Sequence, residues 1–585
     1  MTKTENWPAR VLYMLVALAL ALGLLLSPAI GSVAASPDES EWEIVSTPTG
    51  EGWKLAPGSN DIDNLMNFKF VYWFAGGQIF CPALTAGGGN LYIVGLFRDN
   101  DDLNKNDNIC EIVPQLLKST DGGATWTART SKVFKELVDE GIIEELDDSS
   151  DPIRHILFEK VTCDPLNADF VAVSVAFDSY VLGDSSDLAS KWAPRVLISD
   201  DGGASFKDTG EIRQGDWWME VIHTLATTVE TDDEHDIAVS GIASNSTSTI
   251  FVASSDPAEN FRGGVFRFVT GLAPGWQDAT RYDGWDDLED GYSDSGPFAM
   301  NPSQAVPSIR YGTDFATHGT VLVTTVDAYD KTGTPVGDIY LQAGTWGKTE
   351  AWNEEAGFEP AVKLKDDVVI FPLQSGCAGI TLPLDSQWRY ASKRYAWVLV
   401  NYAIDNGDPW DPDNQMGEIL RVVNDDVQPV IQQVEMGGRQ PFLSNVAYWG
   451  YIESGKAVAG VMGEGYVVPY NVNPMYSNLN RAVPAFTPCC EGVQVYRNLS
   501  IEDMDICCKA WKSACKPPTG RGSCAAFFVS DQKALAIVAR SPFDSAYDES
   551  ALSFSFDDGD TWNQLSLIDT HIDFFSDVAV SPNCN

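Results

Sequence analysis

Basic residues are scarce in this chain. Lys and Arg number 38 against 83 Asp and Glu, for a formal net charge of -45 at pH 7. A surface so acidic repels phosphate backbones and anionic headgroups, which excludes nucleic acid as a partner and argues against binding to anionic lipid. Histidine is scarcer still. His155, His223, His235, His318 and His571 are the full set, and none pairs with another at metal-ligand spacing. There is no G-x-S-x-G elbow and no Gly-rich phosphate cradle leading into a helix. Beyond residue 26 no apolar run is long enough to cross a membrane.

The one long apolar run lies at the start. Lys3 and Arg10 precede Val11 to Leu26, and Val33-Ala34-Ala35 follows as a small-residue cleavage site. Residues 1–35 therefore read as a signal peptide, and the protein as secreted or cell-surface. An uncleaved anchor is the alternative, and nothing else ties the chain to a membrane.

Export makes disulfides the expected fate of the eleven cysteines. Cys81, Cys110, Cys163 and Cys377 are scattered, and Cys584 is almost terminal. Cys489, Cys490, Cys507, Cys508, Cys515 and Cys524 crowd into residues 485–526, a Cys-rich insertion. That segment has no C-x-x-C pair and no histidine, so zinc is the weaker reading. Connectivity is left open, and the odd count leaves one thiol unpaired or paired to another chain.

What the sequence has instead is a repeated corner. Ser119-Thr120-Asp121-Gly122-Gly123-Ala124-Thr125-Trp126 recurs as Ser199-Asp200-Asp201-Gly202-Gly203-Ala204-Ser205-Phe206. It recurs again as Ser555-Phe556-Asp557-Asp558-Gly559-Asp560-Thr561-Trp562. The shared pattern is S-x-D-x-G-x-[TS]-[WF], and each copy follows a strand-like run. Asp accepts hydrogen bonds from the backbone just after it, Gly supplies a positive φ, and the ring opens the next strand. Each copy therefore reads as a hairpin turn.

The pattern resembles the Asp box of the sialidase/BNR-repeat β-propellers. That resemblance implies an all-β propeller over residues 41–585. It also implies a structural role at the blade periphery for Ser119, Asp121, Gly123, Thr125 and Trp126, for Ser199, Asp201, Gly203, Ser205 and Phe206, and for Ser555, Asp557, Gly559, Thr561 and Trp562. Strands before intact or decayed corners begin near Leu116, Arg195, Val265, Ile339, Ile419, Val493 and Leu552. The spacing gives about seven four-stranded blades, with six or eight as alternatives. Ser131 to Leu146 breaks the β pattern and carries apolar residues at helical spacing, which predicts one inserted amphipathic helix. Trp42-Glu43-Ile44-Val45 and Asp577 to Pro582 read as strands that take part in ring closure.

The family's catalytic marks are not evident. There is no F/Y-R-I-P motif, and Arg310, Arg394, Arg421 and Arg497 are scattered along the blades. Asp408 to Asp413 and Asp283 to Asp294 mix carboxylates with rings, a combination that suits sugars and equally suits solvated loops. No cofactor is expected. The oxygen-rich run Asp102, Asn104, Asn106, Asn108 leaves calcium open, though Asp107 stands where an EF-hand needs Gly. The expected function is a β-propeller binding protein whose ligand is a glycan or another protein. A divergent glycoside hydrolase is the alternative, and a structural surface-layer component the second.

Overall fold

The run Phe170-Val171-Ala172-Val173-Ser174-Val175 lacks polar alternation, which in a strand means cover on both faces. The computed structural model of the chain shows that cover. Val171, Val173 and Val175 of strand Val171–Phe177 enter one core, while Phe170 and Ala172 enter another. The structure describes residues 53–55, 83–87, 90–99, 112–120, 126–143, 156–164, 167, 169–177, 194–228, 234–245, 261–271, 275–285, 305–327, 336–347, 349–358, 361–369, 378–404, 415–424, 430–434, 443–461, 495–498, 512–518, 523–530, 533–539 and 551–567. Outside them lie the signal segment, Trp42 to Val45, the oxygen-rich loop at 102–108, Asp408 to Asp413, the four cysteines at 489, 490, 507 and 508, and the tail from Asp577.

The described strands form antiparallel up-and-down meanders in chain order. The first holds Ala83–Gly87, Asn90–Asp99, Ile112–Ser119 and Thr127–Ala128, with Trp53–Leu55 beside the far end of Asn90–Asp99. The second holds Ile156–Cys163, Val171–Phe177, Arg195–Ser199 and Lys207–Glu211. The third holds Trp217–Thr227, Asp236–Ser244, Phe261–Val269 and Gln277–Asp278, with Arg213–Gln214 on its inner edge. A nine-stranded sheet supplies the fourth and fifth. The fourth is Ala305–Tyr311, Thr320–Asp327, Val336–Thr345 and Ala351–Trp352. The fifth is Ala378–Thr381, Arg394–Ile404, Gln415–Asn424 and Val430–Val434. Strand Val362–Val369 bridges these two. The sixth holds Leu443–Trp449, Lys456–Val461, Val495–Asn498 and Lys512–Ser513. The seventh holds Ser523–Ser530, Lys533–Ala539, Ala551–Ser555 and Asn563–Leu567.

Neighbouring meanders share their cores, and alternate residues of one strand divide between two of them. Val321 and Val323 pack toward the third meander, while Leu322 and Val326 join the core shared with the fifth. Ala396, Val398 and Val400 face the fourth, and Trp397 and Leu399 face the sixth. Ala457 and Ala459 face the fifth, and Val458 faces the seventh. The first strands of successive meanders are also neighbours, in chain order from Ala83–Gly87 to Ser523–Ser530. Twisted antiparallel sheets stacked face to face beside a common row of first strands make a β-propeller.

Two asparagines lace this stack. Asn401 Nδ2 donates to Leu443 O at 2.7 Å, and its Oδ1 accepts from Leu443 N at 2.9 Å. Asn445 treats Ala526 in the same way. Each amide supplies the donor and acceptor that a further strand would have supplied.

The inserted helix is Thr130–Asp139, shorter than the periodicity of Ser131 to Leu146 predicts. It stops because Gly141 takes φ +67 and closes a Schellman cap: Ile142 N donates to Leu137 O and Gly141 N to Val138 O, both at 2.9 Å. Val133, Phe134 and Leu137 fill the core between the first two meanders. Among the described residues no helix is long and apolar enough to cross a membrane.

Candidate functional site

Two of the three repeated corners are described in full, and they carry the same set of bonds. Ser199 Oγ donates to Asp201 Oδ1 at 2.8 Å and accepts from Gly203 N at 2.7 Å. Ser205 closes the turn, its N donating to Asp201 Oδ1 at 2.9 Å and its Oγ to Oδ2 at 2.6 Å. Ser555, Asp557, Gly559 and Thr561 repeat this arrangement at 2.8, 2.8, 2.8 and 2.6 Å. Phe206 and Trp562 are buried behind the turns, and Trp562 Nε1 also donates to Gly559 O at 3.0 Å. Of the first corner, Ser119 and Trp126 are described and buried. Asp121, Gly123 and Thr125 lie outside the described residues.

The corners join third strands to fourth strands. Two consecutive residues turn left-handed in each: Gly202 at φ +70 with Gly203 at +79, and Asp558 at +60 with Gly559 at +84. Only Gly tolerates that conformation freely, and Asp is among the few that accept it. A lysine from the preceding meander reaches the first of these two residues. Lys118 Nζ donates to Gly202 O at 3.0 Å, and Lys456 Nζ to Asp558 Oδ1 at 2.7 Å. The sequence reading missed both lysines, because they lie 84 and 102 residues from their partners. Partial burial pushes the Asp201 carboxyl up, but the bonds from Ser205, Ser199 and Ala204 outweigh it and bring it down to about 2. A carboxylate so spent on its own turn is a structural group.

The first strands are different. Those of the second, third, fourth, sixth and seventh meanders each carry a register shift. In Trp217–Thr227 there are two, which leave Glu220 and His223 as the extra residues. Bulges re-aim side chains out of strict alternation, and both of these are buried polar groups on the row of first strands. Burial, and then the charge of Lys160, push the His223 imidazole down to about 3, while a contact with the Val306 backbone opposes them. Arg310 lies on the next first strand. Its side chain is exposed, and desolvation lowers its pKa.

The other arginines do not join it. Arg394 is buried, with Nε donating to Trp388 O at 2.6 Å, on the second strand of the fifth meander. Arg421 is on the third strand of that meander, and Arg497 is on the third strand of the sixth. A Tyr/Glu pair does exist. Tyr402 hydrogen-bonds Glu418, and Lys365 pairs with that carboxylate. All three lie between the fourth and fifth meanders, where Tyr402 and Glu418 are buried and the phenol is raised by burial first and then by the carboxylate. This is an inter-sheet clamp. Asp236 forms another. It accepts from Arg267 and Tyr311 at 2.6 and 2.8 Å, and Arg267 reaches on to Glu350 at 3.2 Å. Trp285, from the acidic aromatic loop, is a core residue, with its ring 4.9 Å from that of Trp352. It offers no sugar platform. Cys515 is exposed near Asp560, and Cys524 lies on strand Ser523–Ser530. Among the described residues no three His, Cys, Asp or Glu side chains gather to hold a metal ion.

The chain is thus an all-β protein of the propeller class. No family model matches it, and no curated protein matches it in sequence. Solved structures that resemble it include the β-propeller domain of the Trilobed protease from Pyrococcus furiosus, at 9% identity and TM-score 0.36, covering 85% of this chain and 99% of that one. The Trypanosoma rangeli sialidase resembles it at 9% identity and TM-score 0.29, covering 65% and 52%. The acylaminoacyl peptidase of Pyrococcus horikoshii does so at 8% identity and TM-score 0.37, and the chain covers about half of it, 54%. These scores are low, so the architecture stands on the sheets of this chain itself.

Proposed function

We propose that this protein is an exported Asp-box β-propeller of seven blades that works as a binding protein, its ligand a glycan or another protein. One topological asymmetry carries the reading. In an up-and-down meander the second-to-third connections all leave from one end, and the third-to-fourth corners from the other. The longest connections within the meanders, 178–194, 245–260 and 462–494, are all second-to-third. The opposite end has the tight corners at 200–206 and 556–562 and short first-to-second turns such as 531–532. One end therefore carries the three longest connections, and those of the other are short apart from 382–393 and 499–511. Variable loops set on a rigid scaffold are where binding residues concentrate. Glu220, near the start of its first strand, adds a polar group toward the loop-bearing end, whereas Arg310 lies beside the opposite turn at 312–319.

A divergent glycoside hydrolase is the second reading. It needs two carboxylates facing each other across a cleft at the loop-bearing end, and Glu220 would be the first candidate. A structural surface-layer role is the third reading. A glycan array run beside a fluorogenic glycoside panel separates these, using the wild type and a variant with 245–260 replaced by a short turn. Binding that the shortened loop abolishes, without turnover above background, supports the binding reading. Turnover above background overturns it.

A further inference from the structure

At the end bearing the tight corners lies a patch of a different character. Three consecutive first-to-second loops meet there: 312–319, 382–393 and 450–455. Leu384 N donates to Gly450 O at 2.8 Å, Ile452 N to Asp385 Oδ1 at 2.7 Å, and Thr313 Oγ1 to Ser386 O. Large apolar or aromatic side chains stand out on this laced surface: Leu384 is 49% exposed, Tyr390 52% and Tyr451 59%. His318 meets Tyr390 edge to face, with centroids 5.8 Å apart. Scattered exposed apolar residues need no explanation, but three on two bonded loops do.

The charge is equally unusual. Several cations of this chain are matched to carboxylates, as Lys135 is to Asp139, Arg195 to Asp208, Lys363 to Asp338 and Lys456 to Asp558. Arg389 and Lys393 flank Tyr390, are exposed, and have no carboxylate partner among the described residues. In a chain of net charge -45, two exposed cations within three residues of the exposed Tyr390 ring concentrate positive charge on loops that also carry Asp385 and Glu453.

We infer that these loops bind a polysaccharide bearing carboxylate groups. Tyr390 and Tyr451 serve as platforms for sugar rings, and Arg389 and Lys393 as contacts for the carboxylates. An acidic chain disfavours such a ligand over much of its surface, and the two cations offset that here. Guanidinium matches a carboxylate with two parallel donors, and a tyrosine ring offers a flat apolar face with a polar tip. A peptide is the weaker fit, because the loop's backbone is already spent. Gln387 N donates to Lys393 O, Tyr390 N to Gln387 O and Lys393 N to Tyr390 O, leaving little for strand addition. The site lies at the end opposite the long loops and does not rest on the reading given for them.

The test is calorimetric titration with a galacturonic-acid hexamer, a neutral galactose hexamer and poly-L-glutamate. The uronate hexamer alone is expected to bind, with affinity that falls as salt rises. Tyr390→Ala and the pair Arg389→Ala with Lys393→Ala are each expected to weaken it by about tenfold, with an unchanged melting temperature because all three residues are exposed. The variant shortened at 245–260 is expected to bind as wild type, which separates this site from the other end. Absence of binding overturns the inference. So does poly-L-glutamate binding equally well, or Tyr390→Ala having no effect. A wild-type dimer that the paired variant dissociates would assign the patch to a second copy and overturn it as well.

Discussion

Asn445 holds Ala526 by both of its backbone groups. The amide Nδ2 donates to Ala526 O at 2.7 Å, and Oδ1 accepts from Ala526 N at 3.0 Å. These residues lie on the first strands of the sixth and seventh meanders. Asn445→Ala strands a donor and an acceptor at a sheet interface, and is expected to cost about 1–3 kcal/mol. Asn445→Asp keeps the shape but turns a donor into an acceptor facing a carbonyl, and is expected to cost at least as much. Thermal or urea unfolding of the two variants checks this. A melting temperature equal to wild type in both would remove the bridge from the account.

Gly202 and Gly210 provide a matched pair of glycines. Both have positive φ, +70 and +86. A Cβ on Gly210 meets nothing within 4 Å, while one on Gly202 comes within 2.2 Å of Lys118 Nζ and 2.9 Å of Asp169 Oδ1. Gly210→Ala is expected to cost only conformational strain, about 1 kcal/mol. Gly202→Ala adds displacement of the lysine that docks the corner on the first meander, so its loss of stability is expected to be the larger. Equal losses in the two variants would mean that the Lys118 contact contributes nothing.

Acid sensitivity has two sources with separate windows. His223 is held neutral in the fold, with a pKa of about 3, whereas an unfolded histidine titrates near pH 6.5. As pH falls below about 6.5 the unfolded chain takes up a proton that the fold refuses, so stability declines until about pH 3. Asp201 works lower. Its folded pKa of about 2 lies beneath the unfolded value near 3.9, so its contribution is complete above about pH 4 and is lost as pH falls toward 2. Calorimetry from pH 7 to pH 4 is expected to show a shallower decline in His223→Gln than in the wild type. Parallel slopes would place the imidazole in a solvated setting.

The corners were legible because their chemistry is local. Ser199, Asp201, Gly203 and Ser205 make their bonds within seven residues, so the eight-residue pattern contains the structure. Apolar strands such as Val171–Phe177 and Arg394–Ile404 were legible for a similar reason, since cover on both faces leaves a continuous run. The first strands were harder to see. Ala305–Tyr311, Leu443–Trp449 and Ser523–Ser530 carry bulges that break the period of two on which strand reading depends. The clamps Asn445 to Ala526, Asp236 to Tyr311 and Glu418 to Lys365 depend on which strands of different meanders become neighbours, and no local pattern encodes that. Trp285 reads as a loop ring in sequence because acidic residues surround it, yet it is drawn into the core by Trp352.

The most direct measurement is a density map that places residues 119–126 and follows the sheets around the ring. The account predicts Asp121 receiving both N and Oγ1 of Thr125, as Asp201 and Asp557 receive their partners, with seven sheets about one channel and the seventh against the first. Asp121 in a different local geometry, or a seventh sheet packed elsewhere, would contradict it.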